Sequence, residues 1–316
     1  MGKALAPTVP FAPNSVVGRV PPPCRGERLP PIARWVGALR LQFSRQRSCR
    51  RLAVAAGLVS GPLVLLAATA PTLPDLSTVP PDLVVPEARN LAPVAGGRSV
   101  QTTAGWEGTA VHHTLYLPVD WTPGRQYPVM VEYAGNGGYR NAFGDVSEGT
   151  VEGCQLGYGI SGGRGFIWLC LPFVEVNAAG KRNAVKWWGD VGESKRYCLA
   201  TVQDVVARYG GDKGAIVFCG FSRGAIAANF LGLHDDEIAG LWRAFICHSH
   251  YDGVSEHWPY AGADRVSALA RLRRLDGRPQ FISHEGSTQA TEDWLRASGI
   301  EGRWKFVAIP IRNHSA

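Results

Sequence analysis

The stretch that most constrains this chain is Gly220-Phe221-Ser222-Arg223-Gly224. It follows the apolar run Ala215-Ile216-Val217-Phe218-Cys219 and leads directly into Ala225-Ile226-Ala227-Ala228-Asn229-Phe230-Leu231. A strand, a tight glycine turn holding one serine, and then a helix describe a nucleophile elbow. The turn is so sharp that a side chain on either side of the serine would collide with its surroundings, and glycine removes the collision. The serine hydroxyl then stands above the sheet edge, and the first turn of the helix offers unpaired N–H groups to a developing negative charge. This arrangement suits acyl transfer. A second match, Gly159-Ile160-Ser161-Gly162-Gly163, lies in a glycine-rich loop before the strand-like run Gly165–Leu171 with no helix after it. The context favours Ser222.

The formal net charge of +7 would suggest a nucleic-acid partner if it were spread over a folded domain. It is not. Residues 1–70 carry ten Lys or Arg and one acid, Glu27, whereas the remainder carries 23 basic and 25 acidic residues, net −2. The positive charge belongs to the amino-terminal segment and not to the folded domain, so a nucleic-acid partner is not expected. The basic segment ends at Arg45, Arg47, Arg50 and Arg51, immediately before the apolar stretch Leu52–Ala70 with its small-residue end Ala68-Thr69-Ala70. That is the plan of an export signal, set inward behind a proline-rich leader (residues 1–51) that reads as disordered or as translation begun too early. An uncleaved single-span anchor over residues 52–70 is the alternative, since about 19 apolar residues can just cross a bilayer. Either way the domain is expected to be exported, to the periplasm or beyond.

Pro71, Pro74, Pro80, Pro81, Pro86 and Pro93 make residues 71–98 an extended linker, and the folded domain is expected over 99–316. Candidate strands at Thr109–Leu117 and Tyr127–Tyr133 flank a turn, Asp120-Trp121-Thr122-Pro123-Gly124. Further strands, Phe166–Leu171, Ala215–Cys219, Trp242–Cys247, Gln280–Ser283 and Trp304–Pro310, alternate with helical patterns at Lys195–Tyr209, Ala225–Leu233, Val266–Leu275 and Thr291–Ser298. Alternation of this kind predicts an α/β fold with a mostly parallel central sheet and helices on both faces. Five cysteines follow the leader, so at least one thiol is free; Cys170, Cys219 and Cys247 read as core, and Cys154 with Cys198 could pair.

A serine nucleophile needs a base, and His314, just past the last strand and after the serine in chain order, is the candidate. Ligands of open parallel sheets sit at the carboxyl ends of the strands, where both residues fall. Two carboxylates compete to orient the imidazole: Asp252, in the loop after Ala244–Cys247, is preferred over Glu285, after Gln280–Ser283. The oxyanion donors are expected from the backbone N–H of Arg223 and from the loop Ala134-Gly135-Asn136-Gly137-Gly138, with Gly135 and Asn136 as candidates. The Arg223 side chain could stand beside the oxyanion, hold an acidic substrate, or form a salt bridge on the elbow helix. His248-x-His250-x-Asp252 is a weaker, metal-binding alternative, because two imidazoles and a carboxylate at alternate positions can converge on one ion. Trp187-Trp188 could stack on a sugar ring.

With elbow, glycine loop and terminal histidine in hand, residues from about 100 to 316 resemble the α/β-hydrolase superfamily, and within it the secreted serine esterases. The resemblance implies ester hydrolysis through an acyl-enzyme, with no cofactor and with a small-molecule or polysaccharide-linked ester as substrate. Two departures stand out. Where an aspartate is usual the chain has Thr288 and Gln289, and no helix follows His314, so the domain is expected to be truncated at its carboxyl end. A binding protein that keeps the fold with a dead triad is the alternative these departures favour.

Overall fold

From Ala215 to Gly220 every residue is buried, the pattern of a strand covered on both faces. It belongs to the centre of a nine-stranded sheet in the computed structural model of the chain, which describes residues 80–141, 145–310 and His314. We number its strands β1 (Ala88–Arg89), β2 (Arg98–Gln101), β3 (His113–Tyr116), β4 (Tyr127–Tyr133), β5 (Ile167–Leu171), β6 (Gly211–Phe221), β7 (Ala244–His248), β8 (Pro279–Glu285) and β9 (Arg303–Ile309). The spatial order is β1-β2-β3-β5-β4-β6-β7-β8-β9. Only β3 runs antiparallel to its neighbours β2 and β5; every other pairing is parallel.

The helices are α1 (Leu156–Ser161), α2 (Val191–Tyr209), α3 (Arg223–Phe230), α4 (Asp236–Ala239), α5 (Arg265–Leu272) and α6 (Gln289–Ser298). Alternate residues of β5 show that both faces of the sheet are covered. Ile167, Leu169 and Leu171 join the large core cluster, whereas Trp168 and Cys170 join a smaller one with Tyr116, Val151 and Cys154. The expected α/β architecture is therefore present. α2 begins four residues before the expected Lys195 because the Asp190 side chain accepts the Glu193 N–H at 2.7 Å, capping the helix. Gly210, at φ 75°, ends it.

Some details differ from expectation. The two strands around the Asp120–Gly124 turn are not partners, because β5 lies between them, antiparallel to β3 and parallel to β4. The sheet starts before Ser99, since Ala88 and Arg89 of the expected linker pair with Arg98 and Ser99. Cys154 and Cys198 lie in separate core clusters and all five described cysteines are free and buried. The leader, the export or anchor segment and the first residues of the linker lie outside the described residues. Among the described residues no helix is long and apolar enough to cross a membrane.

Candidate active site

Strand β6 ends at Phe221, helix α3 begins at Arg223, and Ser222 makes the whole turn at φ 54° and ψ −112°. A non-glycine residue at positive φ costs on the order of 1–3 kcal/mol and persists only where its surroundings hold it. Here the Ser222 N–H donates to the carbonyl of His248 at the end of β7, 2.9 Å away. The flanking glycines are required by contact: a Cβ on Gly220 would lie 2.2 Å from the carbonyl of Gly224, and one on Gly224 would lie 1.8 Å from the Tyr133 carbonyl oxygen. The second serine motif has none of this. Ser161 is the last residue of the short helix α1, and Gly162 caps that helix in the left-handed region.

The structure brings His314 to Ser222. Its Nε2 lies 3.2 Å from the Ser222 Oγ, and its Nδ1 lies 2.6 Å from Glu285 Oε1. The His314 backbone N–H donates to Asp145 at 2.7 Å, and the ring packs against Phe221, Tyr139 and His250 at centroid distances of 4.8, 5.0 and 5.2 Å. Three aromatic neighbours and a backbone tether therefore fix the imidazole plane. Glu285 is the last residue of β8, whose parallel pairing with β9 extends to Glu285 opposite Ile309. Burial alone would raise the Glu285 carboxyl, but the hydrogen bond to His314, a bond to its own backbone and the nearby imidazoles outweigh it and hold the group at about 2. Glu285 is ionised wherever such a site would work.

Asp252, the carboxylate preferred from the sequence, is placed elsewhere. Its oxygens accept from Arg271 Nε at 2.8 Å and Nη2 at 3.0 Å, and from the Tyr260 hydroxyl at 3.4 Å. The side chain is fully buried in that pair. The imidazole partner is Glu285, ranked second in the sequence reading, and no carboxylate at Thr288 or Gln289 is needed.

The metal alternative loses its geometry as well. His248 Nδ1 pairs with the Ser283 hydroxyl at 2.9 Å, His250 Nδ1 with its neighbour's carbonyl, Ser249 O, at 3.0 Å, and Asp252 with Arg271, so the three do not converge. Burial, with the neighbouring His314, pushes His250 down to about 4. It is a neutral imidazole at the cavity wall. Among the described residues one cluster does have metal-ligand spacing, Glu132, Cys154 and Cys170. The Glu132 oxygens there already accept the N–H groups of Gln155, Leu156 and Gly157 and the Trp168 indole.

Arg223 departs from all three of its expected roles. Its guanidinium, buried with its residue 1% exposed, donates to the carbonyls of Ala134, Gly149, Ala184 and Trp187 and lies over the Phe173 ring. It ties the glycine loop after β4 to the segment before α2. Its backbone N–H, as the first of the helix, has no intrahelical acceptor. In the glycine loop the Gly137 N–H is taken by Val185 O at 2.7 Å, which leaves Gly135 and Asn136 as the possible second donors. Gly135 packs so closely that a Cβ would meet Phe221 at 3.0 Å. Asn136 is held by the Trp187 N–H, 2.8 Å from its side-chain oxygen.

A cavity of about 250 Å³ opens on Ser222 and is walled by Asn136, Tyr139, Trp187, Phe221, His250 and Trp258. Trp188, by contrast, is buried and stacks on Phe230 at 4.4 Å, out of reach of a ligand. Sequence reasoning did not mark Trp258, Tyr139, Asp145 or Ser249 as parts of this site. Trp258, Asp145 and Ser249 come from loops, and Tyr139 from a two-residue strand paired with Val146–Ser147, so only the tertiary fold sets where each of them lies.

A mostly parallel sheet with this strand order, an elbow serine after a central strand, and a histidine after the last strand make this the α/β-hydrolase fold. No protein-family model matches the chain, and no curated protein sequence does. Solved structures do match. Porphyromonas gingivalis dipeptidyl peptidase 4 is similar over 70% of this chain and 33% of its own, at 16% identity and a TM-score of 0.45. The apo form of Thermogutta terrifontis esterase 2 is similar over 68% of this chain and 85% of its own, at 15% identity and a TM-score of 0.45. An esterase from Rhizomucor miehei is similar over 66% and 73%, at 13% identity and a TM-score of 0.44. The chain thus spans about a third of the length of the peptidase it matches.

Proposed function

We propose that the chain is an exported serine hydrolase that cleaves carboxylic esters through an acyl-enzyme. The observation that carries this reading is the continuous relay from the strained Ser222 through His314 Nε2, at 3.2 Å, to Glu285, at 2.6 Å from Nδ1. His314 takes the Ser222 proton as the oxygen attacks the ester carbonyl. The tetrahedral oxyanion is held by the backbone N–H of Arg223 and by one from Gly135 or Asn136. The imidazolium returns its proton to the departing alcohol, and a water activated by the same imidazole then releases the acid and regenerates Ser222. Ionised Glu285 holds the imidazole with its proton on Nδ1 and offsets the positive charge that develops.

The cavity suits a substrate with a flat or apolar face, since Trp187, Phe221 and Trp258 form much of its wall. Beyond His250 and Trp258 a second opening of about 420 Å³ adds His284, Ser287 and Gln289, polar groups that suit a hydroxylated alcohol such as a sugar. Export rests on the arginine-flanked apolar segment at residues 52–70. A complete relay with an ionised Glu285 disfavours the dead-triad alternative.

Hydrolysis of p-nitrophenyl acetate by the full chain and by Ser222→Ala, each with and without EDTA, tests the reading. Turnover that disappears in Ser222→Ala and ignores EDTA is expected. EDTA-sensitive turnover that survives in Ser222→Ala would overturn it, as would a folded parent protein without turnover.

A further inference from the structure

Besides Ser222, a second serine at this site stands in a backbone conformation that side chains rarely adopt. Ser249, directly after β7, has φ 85° and is 1% exposed. Such a position ordinarily favours glycine or asparagine, and strain of this kind gathers where function fixes a side chain. The Ser249 hydroxyl donates to Glu285 Oε1 at 3.1 Å and lies 2.9 Å from His314 Nδ1. We propose that Ser249 is a positioning residue, its hydroxyl a third member of the His314–Glu285 contact that sets the direction of the imidazole toward Ser222. The proposal rests on the serine-hydrolase reading of the site.

The proton count supports one arrangement. The hydroxyl proton goes to Glu285 Oε1, so a lone pair of Ser249 Oγ faces Nδ1, and the Nδ1–H is shared between Glu285 and Ser249. Nδ1 is then the protonated nitrogen, and Nε2 is left as the acceptor for the Ser222 proton. Glu285 needs this help. Its other oxygen, Oε2, is buried without a hydrogen-bond partner among the described residues, and the His284 imidazole comes only to 3.6 Å from it, so the direction of the carboxylate is set mainly through Oε1. Ser249 gives Oε1 a second anchor.

The backbone around Ser249 ties the relay together. Its N–H donates to Ser283 O on β8 at 2.8 Å, two residues before Glu285, and the preceding carbonyl, His248 O, accepts the Ser222 N–H at 2.9 Å. One corner of the chain thus locates nucleophile, base and acid. The other titratable groups facing the pair are Tyr139 and His250 against the His314 ring, His284 at 3.6 Å from Glu285 Oε2, and Asp145 on the His314 N–H. None of these is observed to reach Nδ1.

The test compares Ser249→Ala and Ser249→Gly in the full chain. Glycine removes the hydroxyl while relieving the positive φ, so a loss common to both variants reports the hydroxyl and not the backbone. Both should lose roughly 10-fold in kcat with KM unchanged, a part of what a well-placed general base contributes. The loss should vanish in a Glu285→Gln background, followed by the rate of fluorophosphonate labelling, because the two groups act as a unit. The low-field proton resonance of His314 Nδ1–H should move or broaden in both variants. Full activity in Ser249→Gly, an undiminished loss in the Glu285→Gln background, or an unchanged Nδ1–H resonance would each overturn the proposal. A parent protein that shows the resonance and its dependence on Ser249 but turns over no ester would keep the positioning role and overturn the ester reading.

Discussion

Asp252 and Glu285 occupy matching places, each at the carboxyl end of a neighbouring parallel strand and each within a few residues of a histidine. Yet Asp252 is enclosed by Arg271 and Tyr260, whereas Glu285 faces His314 and Ser249. The difference lies in what the following segment does. After Ser249 the chain turns inward, and Asp252 meets an arginine from α5. Glu285 is still part of β8, and the sheet delivers it to the point where His314 arrives beyond β9. A carboxylate locked to a permanent buried cation is committed to the fold, which would otherwise hold that cation unpaired; one with a titratable partner can take part in chemistry.

Substitutions at the two positions should therefore separate activity from stability. The largest expected effect is that of Glu285→Gln. It leaves volume and fold in place but favours the wrong imidazole tautomer, so kcat should fall by about 10³–10⁴-fold, the scale known for triad acids. Steady-state kinetics beside a thermal melt checks this. A loss under 10-fold would break the comparison.

Asp252→Ala should do the reverse. It leaves Arg271 buried without its counter-charge, which costs about 3–5 kcal/mol when one partner of a buried pair is removed. Urea unfolding should report that loss, while the fraction that stays folded keeps the parent kcat. An intact midpoint together with lost turnover would restore Asp252 as the acid.

The smallest effect is in the acid range. Glu285 is held at about 2 against its ordinary value of 4.5, so its ionisation favours the native state. That contribution is full above pH 4.5 and is lost as pH falls through 4.5 toward about 2. Melting temperatures between those limits should therefore decline more steeply in the parent than in Glu285→Gln. Parallel curves would place Glu285 in a more exposed setting than the relay requires.

The elbow was legible because its constraint is local: Gly220 and Gly224 are small where the turn brings backbone onto backbone, and that need is written in five consecutive residues. His314 could be found from chain order. Which carboxylate would face His314 was not legible, because Asp252 and Glu285 look alike along the chain, and Arg271, the residue that takes Asp252 instead, lies 19 positions beyond it. Arg223 was misread for the same reason, since its four carbonyl partners come from three separate segments. The insertion of β5 between β3 and β4 left no local mark, because a parallel crossover is set by how whole layers pack. Ser249 was invisible: a positive φ at a serine has no signature in composition or period.

The most direct measurement of the central claim is to treat the full chain with a fluorophosphonate and map the adduct by peptide mass spectrometry. One adduct per chain on Ser222, formed slowly or not at all in Glu285→Gln, is the predicted result. No adduct on folded protein, or an adduct at Ser161 or another serine, would contradict the assignment of Ser222, His314 and Glu285 as the reacting site.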